Sequence, residues 1–508
     1  MHLALNPTIQ WNGKSLFWVA VSVFSIALIY ALFQEINTDD ETWFLQVVRR
    51  VLSGEVLYRD IYFGLTPLSA YVTAFFCLLF GVELLVARAV LALYFTLGVI
   101  LVLLILKELK LERYVTPLLI GSLLVLVHPQ SNWGFSPYNP LAKVLFLAVF
   151  WMALKWGVSF QRKWLIGASI CAALCLGTKQ NVGAIAESCL FACICWARRS
   201  AFVKDFFLQM AISLLVLCLL FSPTILQGGG SFFLDYTIWN KPRYLALTHH
   251  TYFLDFPNFD PYSLFIYMAP FLLFFGGIYA LRCEEEYPLQ RSALFVFLIG
   301  AVAVLYPKPD HTQKIAYVPF VLIALLYCYS KLEQKARTRH PVKKATEIFF
   351  LACFSLQIGF SLAQPIWQWQ QGKTRRSSVS HFRGIVMDRF CYRHWQRMKR
   401  EFQAAGEPTF FLSTHAGFYY LLFNLSNPTP FDIPIHPALG CEGEKQLILN
   451  FQDQELRLIR DHPCWSNWFQ MNSTRRPYEL EAFIESQMVQ KTDSTPGFDT
   501  IFQIFEKR

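Results

Sequence analysis

The sequence predicts an α-helical polytopic membrane protein of about 11 spans with outer juxtamembrane helices, followed by a small α/β extracytoplasmic C-terminal domain. Three observations predict it. Of 508 residues, 55% are hydrophobic and only 16% charged, against about a quarter charged in soluble domains. The deficit is uneven, with 13% charged residues over Met1–Trp369 and 23% over Gln370–Arg508. Apolar stretches recur along the first part, and the cations between them alternate in density. This composition excludes collagen, coiled coil and disordered chain, and argues against a single soluble enzyme.

A span needs about 20 apolar residues. The candidates run 15–34, 84–106, 115–128, 140–156, 164–178, 182–197, 206–226, 261–281, 291–307, 314–330 and 345–366. The first is too long for the apolar core of a signal peptide, and no small-residue cleavage site follows it, so it reads as a retained span. Loops 107–114, 155–163, 198–205, 282–291 and 331–344 hold 17 Lys and Arg, whereas the intervening loops hold eight. By the positive-inside rule the former are cytoplasmic, the N-terminus is inside and the tail after Trp369 is outside. That parity leaves one crossing between loop 35–66 and loop 107–114. The apolar stretch 67–82 is therefore expected to be a half-inserted or juxtamembrane helix, with 84–106 as the true crossing.

The net charge of +10 divides into +8 for Met1–Trp369 and +2 for the tail. The excess sits in short loops between apolar segments, which argues for a lipid bilayer partner and against nucleic acid. Ten of 13 Cys lie in or beside apolar segments, where packing accounts for them. Only Cys391, Cys441 and Cys464 lie in the tail, enough for one internal disulfide at most.

The unusual polar residues gather in the outer loops. The first reads EINTDDETWFLQVVRRVLSGEVLYRDIYFGL. Asp39, Asp40 and Glu41 follow directly on a span. Thr38 is placed to cap a helix over 39–52, whose first turn the acids suit. Gly54 ends it. On this helix Trp43, Val47, Val48 and Leu52 would face lipid while Arg49 and Arg50 reach headgroups. Tyr58, Arg59 and Asp60 come just after. Interfacial capping alone is the competing reading of the acids.

Elsewhere, Lys179 and Gln180 stand in GTKQN, at a depth where a charge needs a partner or water. A lysine snorkelling to the interface is the competing reading. Residues 306–314 read YPKPDHTQK, a proline-fixed, non-helical run carrying Lys308, Asp310 and His311, against which stands a plain polar turn. Loop 227–260 supplies Lys241 and Arg243, then His249 and His250, with no acid or Cys beside the histidines at ligand spacing. Loop 129–139, PQSNWGFSPYN, brings Tyr138 and Asn139 to line a pocket. Walker A, GxGxxG, HExxH and GxSxG patterns are absent in a usable context. Asn424-Leu-Ser and Asn472-Ser-Thr match glycosylation sequons, relevant only to a eukaryotic secretory route.

Asp40-Glu41-Thr42 after the first span, Gly54-Glu55, Tyr58-Arg59-Asp60, Pro67-Leu68, Phe80-Gly81, Lys179-Gln180-Asn181 and the PKPDH run at 307–311 stand in an order that resembles the GT-C superfamily. These are polytopic glycosyltransferases that use polyprenyl-phosphate sugars, among them protein mannosyltransferases, lipid A aminoarabinose transferases and Rgt-type transferases. The tail segment HAGFYYLLFNLSNPTPFDIP resembles the extracytoplasmic domain of the Rgt-like branch. The resemblance implies inverting transfer on the outer membrane face of a bacterial plasma membrane, from a polyprenyl-phosphate-linked sugar to a glycan, lipid or protein acceptor. It implies Asp40 as general base, with Asp39 and Glu41 its neighbours. The donor phosphate would fall to cations among Arg59, Lys179, Lys241, Arg243 and Lys308, or to a divalent metal. Tyr58, Asp60, Tyr138, Asn139, Gln180, Asp310 and His311 would line the pocket. Two differences stand out: the family often has Arg where Lys308 stands, and often a second acid in the next outer loop. Two rival readings stand beside this one. A transporter or lipid-carrier flippase predicts charges in mid-span and internal repeats. A receptor or assembly factor would leave Asp40 dispensable. In the tail, 383–402 is expected as a basic helix, PTFFLSTH as strand and turn, and 444–460 as helix.

Overall fold

The computed structural model describes residues 13–34, 36–112, 138–197, 201–239, 261–282, 288–305, 317–336, 366–402, 408–434, 436–453, 457–461, 477–491 and 502–507, with Gly359 and Ala363. The expected span 115–128 and nearly all of 345–366 lie outside them. In chain order the longer described helices of the apolar part are α1 (Gly13–Phe33), α2 (Asp40–Leu52), α3 (Leu68–Phe80), α4 (Leu84–Glu108), α5 (Tyr138–Ser159), α6 (Arg162–Leu176), α7 (Gln180–Ala197), α8 (Phe202–Leu226), α9 (Pro261–Arg282), α10 (Pro288–Val304) and α11 (Val318–Ala336), with two five-residue helical turns over Gly230–Leu234 and Asp235–Trp239. Among the described residues α1, α4, α5, α7 and α8 are long and apolar enough to cross a membrane.

The chain forms two compact units. One holds Met1–Ala31, Ala89–Leu220 and His250–Trp367; the other holds Leu32–Arg88, Phe221–His249 and Gln368–Arg508. The first unit is a helical bundle. Its core is aromatic where α5, α10 and α11 meet: Phe150 stacks on Phe297 at 4.9 Å and Phe146 lies 5.2 Å from Phe320. Small residues let the helices close up, as lipid-embedded packing requires. A Cβ at Gly300 on α10 would run into the Cys189 sulfur of α7.

The second unit joins the loop after α1, residues 221–249 and the tail. Helix α3 belongs here. It has 13 residues, a rise of about 20 Å, short of the roughly 30 Å of hydrocarbon a span must cover. Its Phe75, Leu78, Leu79 and Phe80 are exposed, and Gly81, at φ +93°, ends it. The tail adds β1 (Thr374–Arg376), β2 (Val386–Asp388), α12 (Arg389–Glu401), β3 (Thr409–Leu412), α13 (Ala416–Phe423), α14 (His436–Asp453), β4 (Arg457–Asp461), α15 (Tyr478–Gln487), β5 (Met488–Lys491) and β6 (Phe502–Lys507). Strands β1 and β2 pair antiparallel; the main sheet runs β3-β4-β6-β5, with β3 and β4 parallel and the other pairs antiparallel. This is the small α/β fold expected of the tail.

Two tail boundaries differ from the sequence reading. The basic helix begins only at Arg389, because Asp388 caps it: its Oδ1 accepts the N–H groups of Phe390 and Cys391 at 2.7 and 3.2 Å, and Val386–Asp388 is strand. The helix expected over 444–460 stops at Asp453, and Arg457–Asp461 pairs inside the sheet between β3 and β6, where the adjacent Leu458 and Ile459 are both buried. At the sheet edge, β3 is buried throughout. Tyr420 on α13 protects it: the Tyr420 hydroxyl accepts from Phe411 N–H and donates to the Thr409 carbonyl, both at 3.2 Å.

Candidate active site

The acids of the first loop stand at the start of α2. Asn37 closes this turn in place of Thr38. Its Oδ1 accepts the N–H groups of Asp39 and Asp40 at 2.8 and 3.0 Å, and its own N–H donates to Glu41 Oε2 at 3.3 Å. That reciprocity resembles a capping box. Thr38 faces the tail, with its Oγ1 3.0 Å from His415 Nδ1. The same nitrogen lies 2.6 Å from Asp39 Oδ1. Asp40, the first residue of α2, is half-buried. Glu41 is buried and held by Arg88, whose Nε and Nη2 donate to its two oxygens at 2.7 and 2.9 Å. Arg88 Nη1 also donates to the Gln34 carbonyl at 2.9 Å. The three acids thus differ in place: Glu41 is locked, Asp39 is exposed and tied to an imidazole, and Asp40 lies between.

Helix α2 does not lie on lipid through Trp43, Val47 and Val48; all three are buried. Nor do Arg49 and Arg50 reach headgroups. The reason is the tail, which packs α13 across α2. Gly417 makes the approach feasible, since a Cβ there would stand 2.7 Å from Trp43 Cα and 2.9 Å from Trp43 N. Arg50 then meets Asp432 at 3.0 Å and Glu55 at 2.6 Å, and donates to the Asp60 carbonyl at 2.8 Å. Asp432, fully buried, also accepts from Asn427 Nδ2 at 2.8 Å and Gln46 Nε2 at 3.4 Å. Burial alone would lower the Arg50 pKa, but the two carboxylates outweigh it and raise it above its usual value. Arg49 donates to the carbonyls of Tyr420 and Leu425 and to Asn424 Oδ1. Burial dominates there and lowers its pKa. The side chains that amphipathicity assigned to headgroups are the ones that bind the tail.

Tyr58, Arg59 and Asp60 form a clasp in the loop after α2. Tyr58 is buried at φ +72°, a left-handed conformation costly for a non-glycine residue. Its hydroxyl donates to the Leu65 carbonyl at 2.7 Å, and burial pushes its pKa well up. Arg59 grips Asp60 in a two-point fork at 2.9 and 2.8 Å and donates to the Gln227 carbonyl at 2.9 Å. The Arg59 hydrogen bond, against partial burial, holds the Asp60 carboxyl below the usual carboxylate range, with the Val56 N–H adding to it.

In the first unit three expected residues come together. Lys179, at the turn between α6 and α7, is 8% exposed. Its Nζ donates to Asn139 Oδ1 at 2.8 Å and lies 5.8 Å from the Tyr138 ring centroid. The charge the sequence placed at membrane depth has an amide and an aromatic face as neighbours. Gln180 opens α7. Lys241, Arg243, Lys308, Asp310 and His311 lie outside the described residues, as do His249 and His250. Among the described residues, no group of three His, Cys, Asp or Glu side chains is disposed to hold a metal ion.

Arg88, Asp432 and His415 escaped the sequence reading, and Arg50 was read there as a headgroup contact. Arg88 had a usable signal, a lone cation in the apolar run LLVARAV, where a charge demands a partner. His415 had none, because its meeting with Asp39 spans most of the chain.

No family model matches the sequence, and no curated protein matches it. Solved structures do. The crystal structure of ArnT from Cupriavidus metallidurans bound to undecaprenyl phosphate is similar at a TM-score of 0.59 and 14% identity, over 97% of this chain and 98% of that one. ArnT from the same organism in the apo state is similar at a TM-score of 0.58 and 12% identity, with the same coverage. A likeness spanning both units at that identity is one of fold, and the chain has the GT-C fold.

Proposed function

We propose that the protein is an integral membrane glycosyltransferase that moves a sugar from a polyprenyl-phosphate donor to a lipid, glycan or protein acceptor. The observation that carries this reading is the GT-C fold over nearly the whole chain, with three consecutive acids at the head of α2. An acceptor hydroxyl is a poor nucleophile, and Asp40 is assigned to take its proton as its oxygen attacks C1 of the sugar. The C1–O bond to phosphate breaks, its electron pair leaves with the polyprenyl phosphate, and the anomeric configuration inverts. Base catalysis of this kind contributes about 10²–10⁴-fold. Glu41, locked by Arg88, holds the turn. The leaving phosphate is an anion that needs positive charge, and Arg59, Lys179, Lys241, Arg243 and Lys308 are the assigned candidates. In this reading the N-terminus lies in the cytoplasm and the tail outside a bacterial plasma membrane. The experiment is transfer of labelled sugar from a panel of polyprenyl-phosphate donors by purified protein in lipid, wild type beside Asp40→Asn. Transfer lost in the variant supports enzyme and base together. Transfer unchanged in a well-expressed variant removes Asp40 from that role, and transfer by neither protein favours the flippase.

A further inference from the structure

The tail segment after the last apolar stretch is strongly basic. From Lys373 to Arg400 it carries nine Lys and Arg against one acid, Asp388, and all nine cations are exposed. Asp388 is already engaged as the cap of α12, and Arg383 pairs with Glu83, between α3 and α4, at 3.5 Å. Solvated surfaces normally mix both signs, so a plain solvated face does not account for this one. On α12, Arg389, Arg393, Arg397 and Arg400 follow at helical spacing and form one stripe. Tyr392, Trp395 and Met398 are buried on the other side. Neighbouring like charges at that spacing repel, and an anion lying along the stripe would relieve them. Arg375, on β1, stacks on Tyr392 at 4.9 Å and extends the positive field beyond the helix.

The apolar neighbours say what kind of anion fits. The Leu84 N–H donates to the His381 carbonyl at 2.8 Å, and His381 Nδ1 lies 2.7 Å from the Val82 carbonyl. Gly384, at φ +86°, sits where a Cβ would come 3.1 Å from the Leu85 side chain. The basic segment is thereby fixed to the corner between α3 and α4. At that corner α3 ends in the exposed Leu78, Leu79 and Phe80. Phe390, 70% exposed, stands beside the arginine stripe. Exposed Trp369 precedes Lys373 by one turn and packs on Phe33, at the end of α1, at 6.2 Å. Cations beside exposed aromatic and aliphatic side chains are the pattern of an element seated at a bilayer interface.

We propose that this face rests on the membrane and binds the phosphates of anionic phospholipids, so that the tail docks on headgroups of phosphatidylglycerol type. An acidic oligosaccharide would match the charge but leave Leu78, Leu79, Phe80 and Phe390 without a role. Docking of this kind is independent of the proposed transfer reaction. The test uses the full chain in nanodiscs of phosphatidylcholine alone or with phosphatidylglycerol, following amide hydrogen exchange over 389–401. Each cation at an anionic surface is worth about fivefold in local lipid occupancy. Exchange is therefore expected to slow several-fold in the anionic discs, and the slowing to vanish in about 1 M salt, where the Debye length is about 3 Å. It should be lost in Arg389→Gln/Arg393→Gln/Arg397→Gln and kept in Lys445→Glu, at an exposed cation elsewhere in the unit. Melting of the triple variant in phosphatidylcholine discs, compared with wild type, checks its folding. Should that variant unfold, the three single substitutions, each with a partial loss, carry the test. Equal exchange of the wild type in both lipids overturns the proposal, as does a lipid preference surviving in the folded triple variant. Protection by a soluble acidic oligosaccharide and not by lipid also overturns it.

Discussion

Replacing Arg50 by methionine tests whether the tail is held on the first loop by a buried charge network. Arg50 and Asp432 are 4% and 0% exposed, so neither has water to fall back on. The substitution strands the Asp432 carboxylate with the amides of Asn427 and Gln46 at 2.8 and 3.4 Å, and removes the donor to the Asp60 carbonyl. Breaking a buried pair from one side costs about 3–5 kcal/mol. The two remaining amide donors put the expected loss near the lower end of that range, at about 3 kcal/mol. Asp432→Asn is milder, at about 1–2 kcal/mol, because Glu55 still grips Arg50 through Nε and Nη2 at 2.8 and 2.6 Å. The double variant should cost about as much as Arg50→Met alone, since the two residues share one interaction. At about 2–4 °C per kcal/mol for units of this size, Arg50→Met lowers the melting temperature by about 6–12 °C. The assay is thermal melting of the purified protein, paired with proteolytic release of the tail at fixed temperature. A shift for Arg50→Met under about 2 °C, or strictly additive losses in the double variant, would refute the reasoning.

Other perturbations act on single links of the same unit. Gly417→Val has no space against the Trp43 backbone and should cost about 1–3 kcal/mol, seen as faster proteolysis of the tail. Arg88→Met leaves Glu41 buried without its ion partner, with the Asn37 N–H at 3.3 Å still donating to it, and should destabilise by about 3–5 kcal/mol, whereas Glu41→Gln, which keeps an acceptor for Arg88, should cost less; melting curves rank the two. His415→Ala removes the imidazole from Asp39 and should reduce sugar transfer more than His415→Asn, whose amide N–H reaches near the Nδ1 position. The folded Asp60 carboxyl titrates below its unfolded value, so its stabilising contribution is present above the unfolded pKa of about 4 and lost as pH falls through the folded value. Melting temperatures of wild type and Asp60→Asn should therefore differ at neutral pH and converge in acid.

The spanning helices were legible because lipid imposes a long apolar run, and α1, α4, α5, α7 and α8 each satisfy it. Helix α3 was expected to stop short because the loop charges leave one crossing between 35–66 and 107–114, and the structure gives it 13 residues ended by Gly81. Helix α2 shows where pattern reading ends. Its amphipathicity was correctly seen, but a hydrophobic stripe does not say whether lipid or protein covers it. The answer lay in α13, far along the chain. The same limit hid Asp432 as the partner of Arg50 and His415 as the partner of Asp39. Lys179 fared better, since its need for a partner at depth was visible and Asn139 and Tyr138 were already expected near a pocket.

The Arg50–Asp432 pair joins residues 382 positions apart. Chains are synthesised at about 5–20 residues per second, so α2 exists for roughly 20–75 s before its partner emerges. During that interval Arg50 has Glu55 for company, while Trp43, Val47 and Val48 have no cover from the tail. Contacts of such long range make folding slow and expose apolar surface on the way. The last quarter of the polypeptide thus decides whether the earliest loop matures, and a ribosome that stops short would leave a bundle whose first loop is a target for quality-control proteases.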